Sequence, residues 1–281
     1  MQRMAYLYES IPLTETVFTL LSRLLLERLG LSYGPEKRDL VQDRLAPLLA
    51  ERGLTSFVDY YYLLKYDEHN SQEWLLVQTA LAVRETYFWR EVDQVLLAAN
   101  QLVPELQSQA AGRPVRIWHA ACASGEEPYS MAIALDQAGC FARGPIEIIG
   151  VDFDSHSLRL ARQGCYGERA FRALPPDLRR RYFMPGSGCS QLVDDIRSRV
   201  SFQYLNLAQW NGAVMPGSFD IIFCRNVFIY FDETTIQRVA QNFYQALRTP
   251  GYLFLGAAES LMRVSTAFEL IERSKCFVYT R

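Results

Sequence analysis

The 281-residue sequence has no long apolar run, no paired-cysteine motif and no excess of either charge. Its longest apolar stretch, near Val17–Leu26, is interrupted by Ser22 and Arg23 and is too short to span a bilayer. The first residues also lack the layout of a signal peptide. We therefore expect a cytoplasmic protein without direct membrane insertion.

The six cysteines include no C-x-x-C pair, and the sequence contains only three histidines. We expect all six to be reduced thiols packed as small apolar side chains. We expect no metal site, because no cluster of ligands surrounds His69, His119 or His156. A formal net charge of −2 argues against a general nucleic-acid binder.

Residues 1–90 have only helical periodicity, which predicts a helical N-terminal domain. Gly30 and Gly53 are expected to end the first two helices, and Ser56 and Ser71 to begin the next two. A linking helix is expected from Val92 through Leu102. The predicted helical faces lie within Val17–Leu29, Leu40–Leu49, Phe57–Leu64 and Trp74–Leu81.

Residues 91–281 alternate strand and helix after Arg113-Pro114, which predicts a domain built on a parallel sheet. Residues 165–200 break this alternation with a basic, turn-rich stretch that we interpret as a small β subdomain. Within it, Leu192–Val193 is predicted to pair with Val200–Phe202. The predicted strands are Val115–Trp118, Ile146–Asp152, Val200–Tyr204, Phe219–Cys224, Tyr252–Gly256 and Cys276–Tyr279.

The most informative segment is Val115–Ala134, taken together with Asp152. A strand, a turn of small residues, a helix and a second strand ending in an acid are typical of a nucleotide-like ligand site. The turn lacks G-x-G-x-x-G, and Glu126 and Glu127 would repel a pyrophosphate. A cationic adenosine ligand such as S-adenosylmethionine fits better, although the turn alone is equally consistent with a structural strand–turn–helix unit.

Polar residues also follow two other predicted strands. Asn206-Leu207 follows the third strand, and Arg225 and Asn226 follow Phe219–Cys224 at the sheet edge where ligands bind. Tyr230 lies in the next loop, before a helix that starts near Asp232. The aromatic segment Arg84–Arg90 is either part of this site or simple packing between the two halves.

Six motifs together resemble the chemotaxis receptor methyltransferases, which transfer methyl from S-adenosylmethionine to receptor glutamates. The resemblance covers nearly the whole chain. It implies an α/β fold: a Rossmann-like class I S-adenosylmethionine-dependent methyltransferase sheet with a helical N-terminal domain and a small β subdomain. The motifs are RETYFWR (84–90), WHAACASGEEPYS (118–130), GVDFD (150–154), RRYF (180–183), NL (206–207) and FCRNVFIYF (223–231).

The resemblance implies cofactor contacts at eight positions and S-adenosylhomocysteine as product. Asp152 suits the ribose hydroxyls, Glu126 a cationic group and Arg90 the cofactor carboxylate. The family usually has Asn where Arg84 stands, so no contact is expected there, and His119 replaces a common Ser. The eight positions are Thr86, Arg90, Glu126, Asp152, Asn206, Leu207, Arg225 and Asn226.

The catalytic residues are expected to be Tyr230 and Arg90. A glutamate carboxylate is ionised at neutral pH and can attack a sulfonium methyl without a general base. The Tyr230 hydroxyl can orient that carboxylate, and its ring can face the sulfonium; simple packing of the loop is the alternative. A histidine base at His119 or His156 is not needed.

The expected partners are the cytoplasmic methylation helices of chemoreceptors, with no nucleic acid, and the protein is expected to be a monomer. Two alternatives stay open: a methyltransferase for another substrate, and a cofactor-binding scaffold without catalysis. Some family members also bind a receptor's C-terminal peptide, for which Met184–Arg199 looks short. The basic residues expected to meet acidic receptor helices are Arg28, Lys37, Arg38, Arg44, Arg52 and Arg179–Arg181.

Overall fold

The computed structural model describes residues 11–68, 71–186, 188–211, 217–264 and 267–281, and His69 lies outside them. The chain forms two compact units. The first comprises Met1–Val83 with Tyr230–Thr235, and the second comprises Arg84–Ile229 with Ile236–Arg281. Within the described ranges, no helix is long and apolar enough to cross a membrane.

Within the described residues, the first unit contains four α-helices, as the helical periodicity predicts. The predicted caps are confirmed: Gly30 adopts a left-handed conformation after the first helix, with φ of 77°. The hydroxyls of Ser56 and Ser71 accept hydrogen bonds from the main-chain N–H groups of Val58 and Trp74. The helices are α1 (Glu15–Leu29), α2 (Arg38–Glu51), α3 (Phe57–Tyr66) and α4 (Gln72–Leu81).

The core of the first unit includes a buried carboxylate. Helix α1 contacts α3, and α2 contacts α4. Glu73 on α4 is buried and accepts hydrogen bonds from the Tyr60 hydroxyl and from Arg52 Nε, both at 2.6 Å. A buried carboxylate requires such partners, so Arg52 has a structural role.

The second unit is built on a seven-stranded sheet in the order β6-β2-β1-β7-β8-β10-β9. The first five strands in this order are parallel, which confirms the predicted sheet. The carboxyl ends of β2, β1 and β7 therefore meet at one edge. The strands are β1 (Val115–Ala120), β2 (Ile146–Asp152), β6 (Val200–Tyr204), β7 (Phe219–Cys224), β8 (Leu247–Leu255), β9 (Glu269–Arg273) and β10 (Cys276–Thr280).

The helices of this unit connect the strands. The predicted linking helix continues through a π-helical segment (Ala98–Leu102) to Gln109. Leu97, Leu102 and Leu106 from it join the hydrophobic core around β1. The helices are α5 (Val92–Leu97), α6 (Val103–Gln109), α7 (Glu126–Gln137), α8 (Cys140–Arg143), α9 (Ser155–Gln163), α10 (Pro176–Tyr182), α11 (Asp194–Arg197) and α12 (Glu233–Ala246).

The edge of the sheet formed by β10 and β9 differs from the predicted parallel arrangement. Strand β10 runs antiparallel to both β8 and β9. Strand β9 has the sequence ELIER and none of its residues is fully buried. Because an exposed edge strand with charged residues has no clear apolar alternation, the sequence pattern did not indicate it.

A three-stranded sheet in the order β3-β5-β4 forms the small β subdomain. Its strands are β3 (Cys165–Tyr166), β4 (Phe183–Pro185) and β5 (Ser190–Leu192). The predicted pairing of Leu192–Val193 with Val200–Phe202 is wrong. Leu192 pairs with Phe183, whereas Val200 lies beside Ile148 in the main sheet.

One pair of cysteines also departs from the expectation. Cys165 and Cys189 form a disulfide with a Cα–Cα distance of 5.7 Å, so the prediction of six reduced thiols is wrong. They are 24 residues apart in sequence, and the antiparallel pairing of β3 with β5 brings them together. The spacing alone did not indicate this. Cys122, Cys140, Cys224 and Cys276 are free and buried.

Candidate functional site

The turn after β1 is strained and tight. Ala121 and Ala123 have φ of 65° and 47°, and Gly125 has φ of 92°. A Cβ atom at Gly125 would lie 2.9 Å from Ala161 Cβ and 3.1 Å from Phe202 Cζ, so only glycine fits there. Strain of this kind is usually found where a main chain approaches a ligand.

Asp152 ends β2 directly beside this turn. Its side chain is buried, Oδ2 accepts a hydrogen bond from the Ala123 N–H, and Oδ1 accepts one from the Asp154 N–H, both at 2.8 Å. A carboxylate has about four acceptor positions, so capacity remains for a ligand hydroxyl. Burial raises the pKa of Asp152 to about 6, against the effect of the main-chain N–H groups of Asp154 and Ala123, which lower it.

Arg84 forms an ion pair with Asp154, the acid that follows β2. Its Nε donates to Asp154 Oδ2 at 2.9 Å, and the Ser157 hydroxyl donates to the same oxygen. Asp154 is also the N-cap of α9, where its side chain accepts from the His156 N–H. The arginine that replaces the usual Asn therefore balances a buried charge next to Asp152.

The two glutamates that open α7 have opposite electrostatic environments. Burial raises the pKa of Glu126 to about 7, against the effect of the Ser124 hydroxyl that donates to it at 2.8 Å. Burial alone would also raise the pKa of Glu127, but Arg225 and His119 outweigh it and lower that pKa to about 2. Environments that separate two neighbouring pKa values in this way are common in functional sites.

Glu127 is the centre of a buried ionic network. Arg225 Nε donates to Glu127 Oε2, and His119 Nδ1 lies beside Oε1, both at 2.7 Å. The Arg225 side chain is 2% exposed and also donates to the carbonyl groups of Arg90 and Glu91, each at 3.0 Å. Arg225 thus holds the segment that carries Arg90 in place. Glu127 was not predicted to have this role, because its partners are distant in sequence.

Asn206 and Leu207 lie after β6, and both are buried. Asn206 Oδ1 accepts a hydrogen bond from the Ala208 N–H at 2.9 Å. Its Nδ2 is buried and has no hydrogen-bond partner within the described part of the chain. Since buried polar groups are nearly always satisfied, this nitrogen points to a ligand.

The segment Arg84–Arg90 is supported by the small β subdomain. The Phe88 N–H donates to the Ala170 carbonyl, and the Phe88 ring packs on Tyr166, Phe171 and Phe183. Tyr166 was not singled out by its sequence, yet its hydroxyl donates to the Ser124 carbonyl at 2.8 Å. The β subdomain therefore supports both the aromatic segment and the turn after β1.

The remaining predicted residues have different surroundings. Arg90 is one quarter exposed and donates to the Glu85 carbonyl at 2.7 Å, and Thr86 is half-buried. Asn226 has φ of 60°. Tyr230 belongs to the first compact unit, where its carbonyl accepts a hydrogen bond from the Ser32 N–H. Its catalytic role stays a prediction.

Comparison with known proteins identifies the family of this chain. Residues 84–277 match the model of the CheR methyltransferase S-adenosylmethionine-binding domain, and residues 16–81 match the CheR all-alpha domain. The chain belongs to the CheR methyltransferase family. It is therefore a methyltransferase with S-adenosylmethionine as methyl donor.

Curated relatives match both parts of this CheR-family chain. A chemotaxis protein methyltransferase of Klebsiella aerogenes is 36% identical over 275 residues, which cover 95% of this chain and 91% of that protein. The Escherichia coli K12 protein of that name is 35% identical, covering 93% and 90%. Chemotaxis protein methyltransferase 2 of Pseudomonas aeruginosa is 36% identical, covering 84% and 83%.

The residues of this CheR-family site fit the cofactor. Asp152 offers an acceptor for ribose hydroxyls, and Asn206 Nδ2 is a buried donor that no described residue satisfies. Glu126 is a buried acid near a main-chain turn that lacks bulky side chains. Within the described residues, no group of three or more His, Cys, Asp or Glu side chains could hold a metal ion.

Cofactor binding is expected to strengthen as the pH rises. Because the pKa is about 6 for Asp152 and about 7 for Glu126, both acids take up protons as the solution becomes mildly acidic. Only their ionised forms attract a cationic ligand, so binding should release protons. Affinity should fall roughly tenfold between about pH 7.5 and about pH 6. Calorimetric titration with S-adenosylmethionine across this pH range measures the affinity.

Glu126→Gln provides the control for this prediction. The variant cannot ionise at this position, so its affinity should be lower than that of the wild type at neutral pH and should change less with pH. A wild-type affinity that is constant across the range would contradict the prediction.

Proposed function

We propose that this protein transfers the methyl group of S-adenosylmethionine to glutamate side chains of a chemoreceptor and forms glutamate methyl esters. The observation that carries the proposal is similarity to chemotaxis protein methyltransferases along 95% of the chain. It includes the helical part as well as the cofactor domain, so it extends beyond the cofactor site alone.

The proposed cofactor contacts are the eight positions implied by the family motifs. Asp152 would bind the ribose hydroxyls, Glu126 a cationic group and Arg90 the carboxylate. Bound cofactor supplies an electrophilic methyl on a sulfonium. For Arg225, the buried pairing with Glu127 favours a supporting role beside its predicted contact. The remaining contacts are Thr86, Asn206, Leu207 and Asn226.

The chemistry requires positioning more than acid–base catalysis. The attacking carboxylate is ionised at neutral pH, and orientation alone can lower a barrier by about 7–11 kcal/mol. The buried Arg225–Glu127 pair supports this proposal, because it fixes the main chain at Arg90 and Glu91. His119 is fully buried against Phe223 and Glu127, and we propose a structural role for it.

The proposal is tested with methyl-labelled S-adenosylmethionine and the cytoplasmic helices of candidate receptors. We expect label on glutamate that is released as methanol in mild alkali, because esters hydrolyse there and N-methyl groups do not. The same assay on DNA, RNA and metabolites tests the other substrate classes. Alkali-stable label on every accepted substrate would contradict the proposal, and cofactor binding without any transfer would favour the scaffold alternative.

Removal of the Tyr230 hydroxyl is expected to slow turnover. Tyr230→Phe should lower kcat by roughly tenfold or more and change cofactor affinity little, because a hydroxyl that orients the carboxylate acts mainly in the transition state. Steady-state kinetics and calorimetry separate the two effects. Tyr66→Phe, at a side chain that is 76% exposed, is the control. Wild-type turnover in Tyr230→Phe would leave Tyr230 with a packing role.

Basic residues of the helical part are proposed to meet acidic receptor helices. Arg52 must be left out of the test because it pairs with buried Glu73. Replacing Lys37, Arg38 and Arg44 with alanine should weaken receptor binding by roughly tenfold and flatten its salt dependence. Cofactor affinity should not change.

The control removes three exposed charges from the second compact unit, at Arg143, Arg199 and Arg263. Equal losses of receptor binding in both triple variants would indicate a general charge effect instead of a docking surface. We expect that methylation of a receptor does not require binding of the pentapeptide at its C-terminus. The affinity of the same proteins for such a pentapeptide can be measured directly.

The cellular setting is proposed on the same basis. We propose a cytoplasmic monomer that acts on the cytoplasmic helices of receptors. The division into a helical domain of residues 1–90 and a catalytic domain of residues 91–281 also stays a prediction, as does the extent of the β subdomain around 165–200.

A further inference from the structure

One carboxylate outside the predicted site joins the loops that follow β7 and β8. Glu259 Oε1 accepts hydrogen bonds from the N–H groups of Val227 and Phe228, both at 2.7 Å. Its Oε2 accepts from Asn226 at 2.7 Å and from Gly256 at 2.8 Å. Four main-chain donors therefore occupy about the full acceptor capacity of a carboxylate.

The loop that Glu259 organises has an unusual main-chain conformation. Asn226 is in the left-handed region, with φ of 60°, which is strained for residues that carry a Cβ, although asparagine adopts it more often than most of them. Unsatisfied N–H groups would favour a different path for this loop. The anionic acceptor satisfies three successive donors and so stabilises the strained conformation.

Glu259 is itself held in place from two sides. Its own N–H donates to the Gly256 carbonyl at 2.9 Å, which closes a turn after β8. The Leu261 N–H donates to the Tyr279 hydroxyl on β10 at 2.9 Å. Because the segment that carries Glu259 is fixed in this way, its carboxylate has a defined position.

The close approach of the two loops requires a glycine. A Cβ atom at Gly256 would lie 2.6 Å from Asn226 Nδ2, 2.8 Å from Glu259 Oε2 and 3.0 Å from the Asn226 main-chain nitrogen. All three distances are at or below the closest that real side chains tolerate. Gly256 and Glu259 therefore act together on the position of Asn226.

We infer that Glu259 is a positioning residue for methyl transfer: it fixes the Asn226–Phe228 main chain so that this loop keeps the conformation that binds the cofactor. This inference rests on the proposed function, in which the loop that carries Asn226 contacts the cofactor. The neighbouring Arg225 links the same loop to the carbonyl groups of Arg90 and Glu91, so a displaced loop would disturb both sides of the site.

The test is a double-mutant cycle on cofactor affinity, measured by calorimetry with S-adenosylhomocysteine. Glu259→Gln keeps the shape of the side chain but turns an N–H₂ group towards main-chain donors, so affinity should fall at least tenfold. Asn226→Ala should also weaken binding. The double variant should lose much less than the product of the two single losses, because both changes act on one loop.

Two further variants keep the test decisive. Gly256→Ala leaves the carboxylate intact and should cause a comparable loss by forcing the loops apart. Glu259→Asp keeps an anionic acceptor and should recover part of the affinity, and it replaces Glu259→Gln in the cycle if the latter does not fold. The control is Glu272→Gln, an exposed acid on β9, which should bind as the wild type does.

The outcomes separate the two proposals. If folded Glu259→Gln binds within twofold of the wild type, or if the losses in the cycle multiply independently, Glu259 has no positioning role. If Asn226→Ala binds normally while Glu259→Gln and Gly256→Ala do not, the proposed Asn226 contact fails and the positioning role of Glu259 stands through other atoms of the loop.

Discussion

Replacing Asp152 with alanine is expected to weaken S-adenosylmethionine binding by about ten- to a hundredfold, or about 1–3 kcal/mol. The variant removes the proposed acceptor for the ribose hydroxyls. It also leaves the N–H groups of Ala123 and Asp154 without the carboxylate that holds the turn. Calorimetry with the cofactor and with S-adenosylhomocysteine measures the loss.

Two controls distinguish ligand binding from general damage. Asp194→Ala removes an acid that is 83% exposed and should leave affinity unchanged. Asp152→Asn keeps the size of the side chain and one acceptor oxygen, so its loss should be smaller than that of Asp152→Ala. Unchanged affinity in Asp152→Ala would refute the assignment of Asp152 to the ribose.

Replacing Glu127 with glutamine is expected to have the largest effect on stability. The change leaves the guanidinium of Arg225, only 2% exposed, without its main counter-charge. Breaking such a buried pair costs about 3–5 kcal/mol. We expect this loss in the free energy of unfolding from urea titration, together with lower methyl transfer, because Arg225 would no longer hold the carbonyl groups of Arg90 and Glu91.

Glu147→Gln is the matched control, because Glu147 is half exposed in a surface pair with Arg116. Such pairs contribute about 0–1 kcal/mol. The pKa of Glu127 is lowered to about 2 in the folded protein, so its contribution is complete above the unfolded pKa of about 4.3 and is lost as the pH falls towards about 2. Similar losses in both variants would contradict a special role for Glu127.

Local patterns were sufficient to predict the elements of the fold that bury an apolar face. Strands β1, β2 and β7 are mostly apolar segments at the centre of the sheet, and their ends indicated where Asp152 and Arg225 would lie. Ser56 and Ser71 marked helix starts because their hydroxyls satisfy local N–H groups. These features depend on neighbours within a few residues.

The parts that were not predicted depend on residues far apart in sequence. The pairing of Glu127 with Arg225, the disulfide between Cys165 and Cys189, and the pairing of Leu192 with Phe183 arise only in the folded chain. Edge strand β9 has no fully buried residue, so periodicity could not reveal it. The Arg84 substitution looked like a departure from the family, and its partner Asp154 became visible only in three dimensions.

The position of β1 between β2 and β7 has a consequence for biosynthesis. Ile117 lies beside Ile221, so one edge of β1 stays unpaired until most of the polypeptide has left the ribosome. Closing such a long loop is entropically slow compared with local hairpins or helices. Glu127 likewise lacks the guanidinium of Arg225 until that residue emerges. During translation, S-adenosylmethionine is therefore expected to bind only after Asn226, the last of the proposed cofactor contacts in the sequence, has left the ribosome.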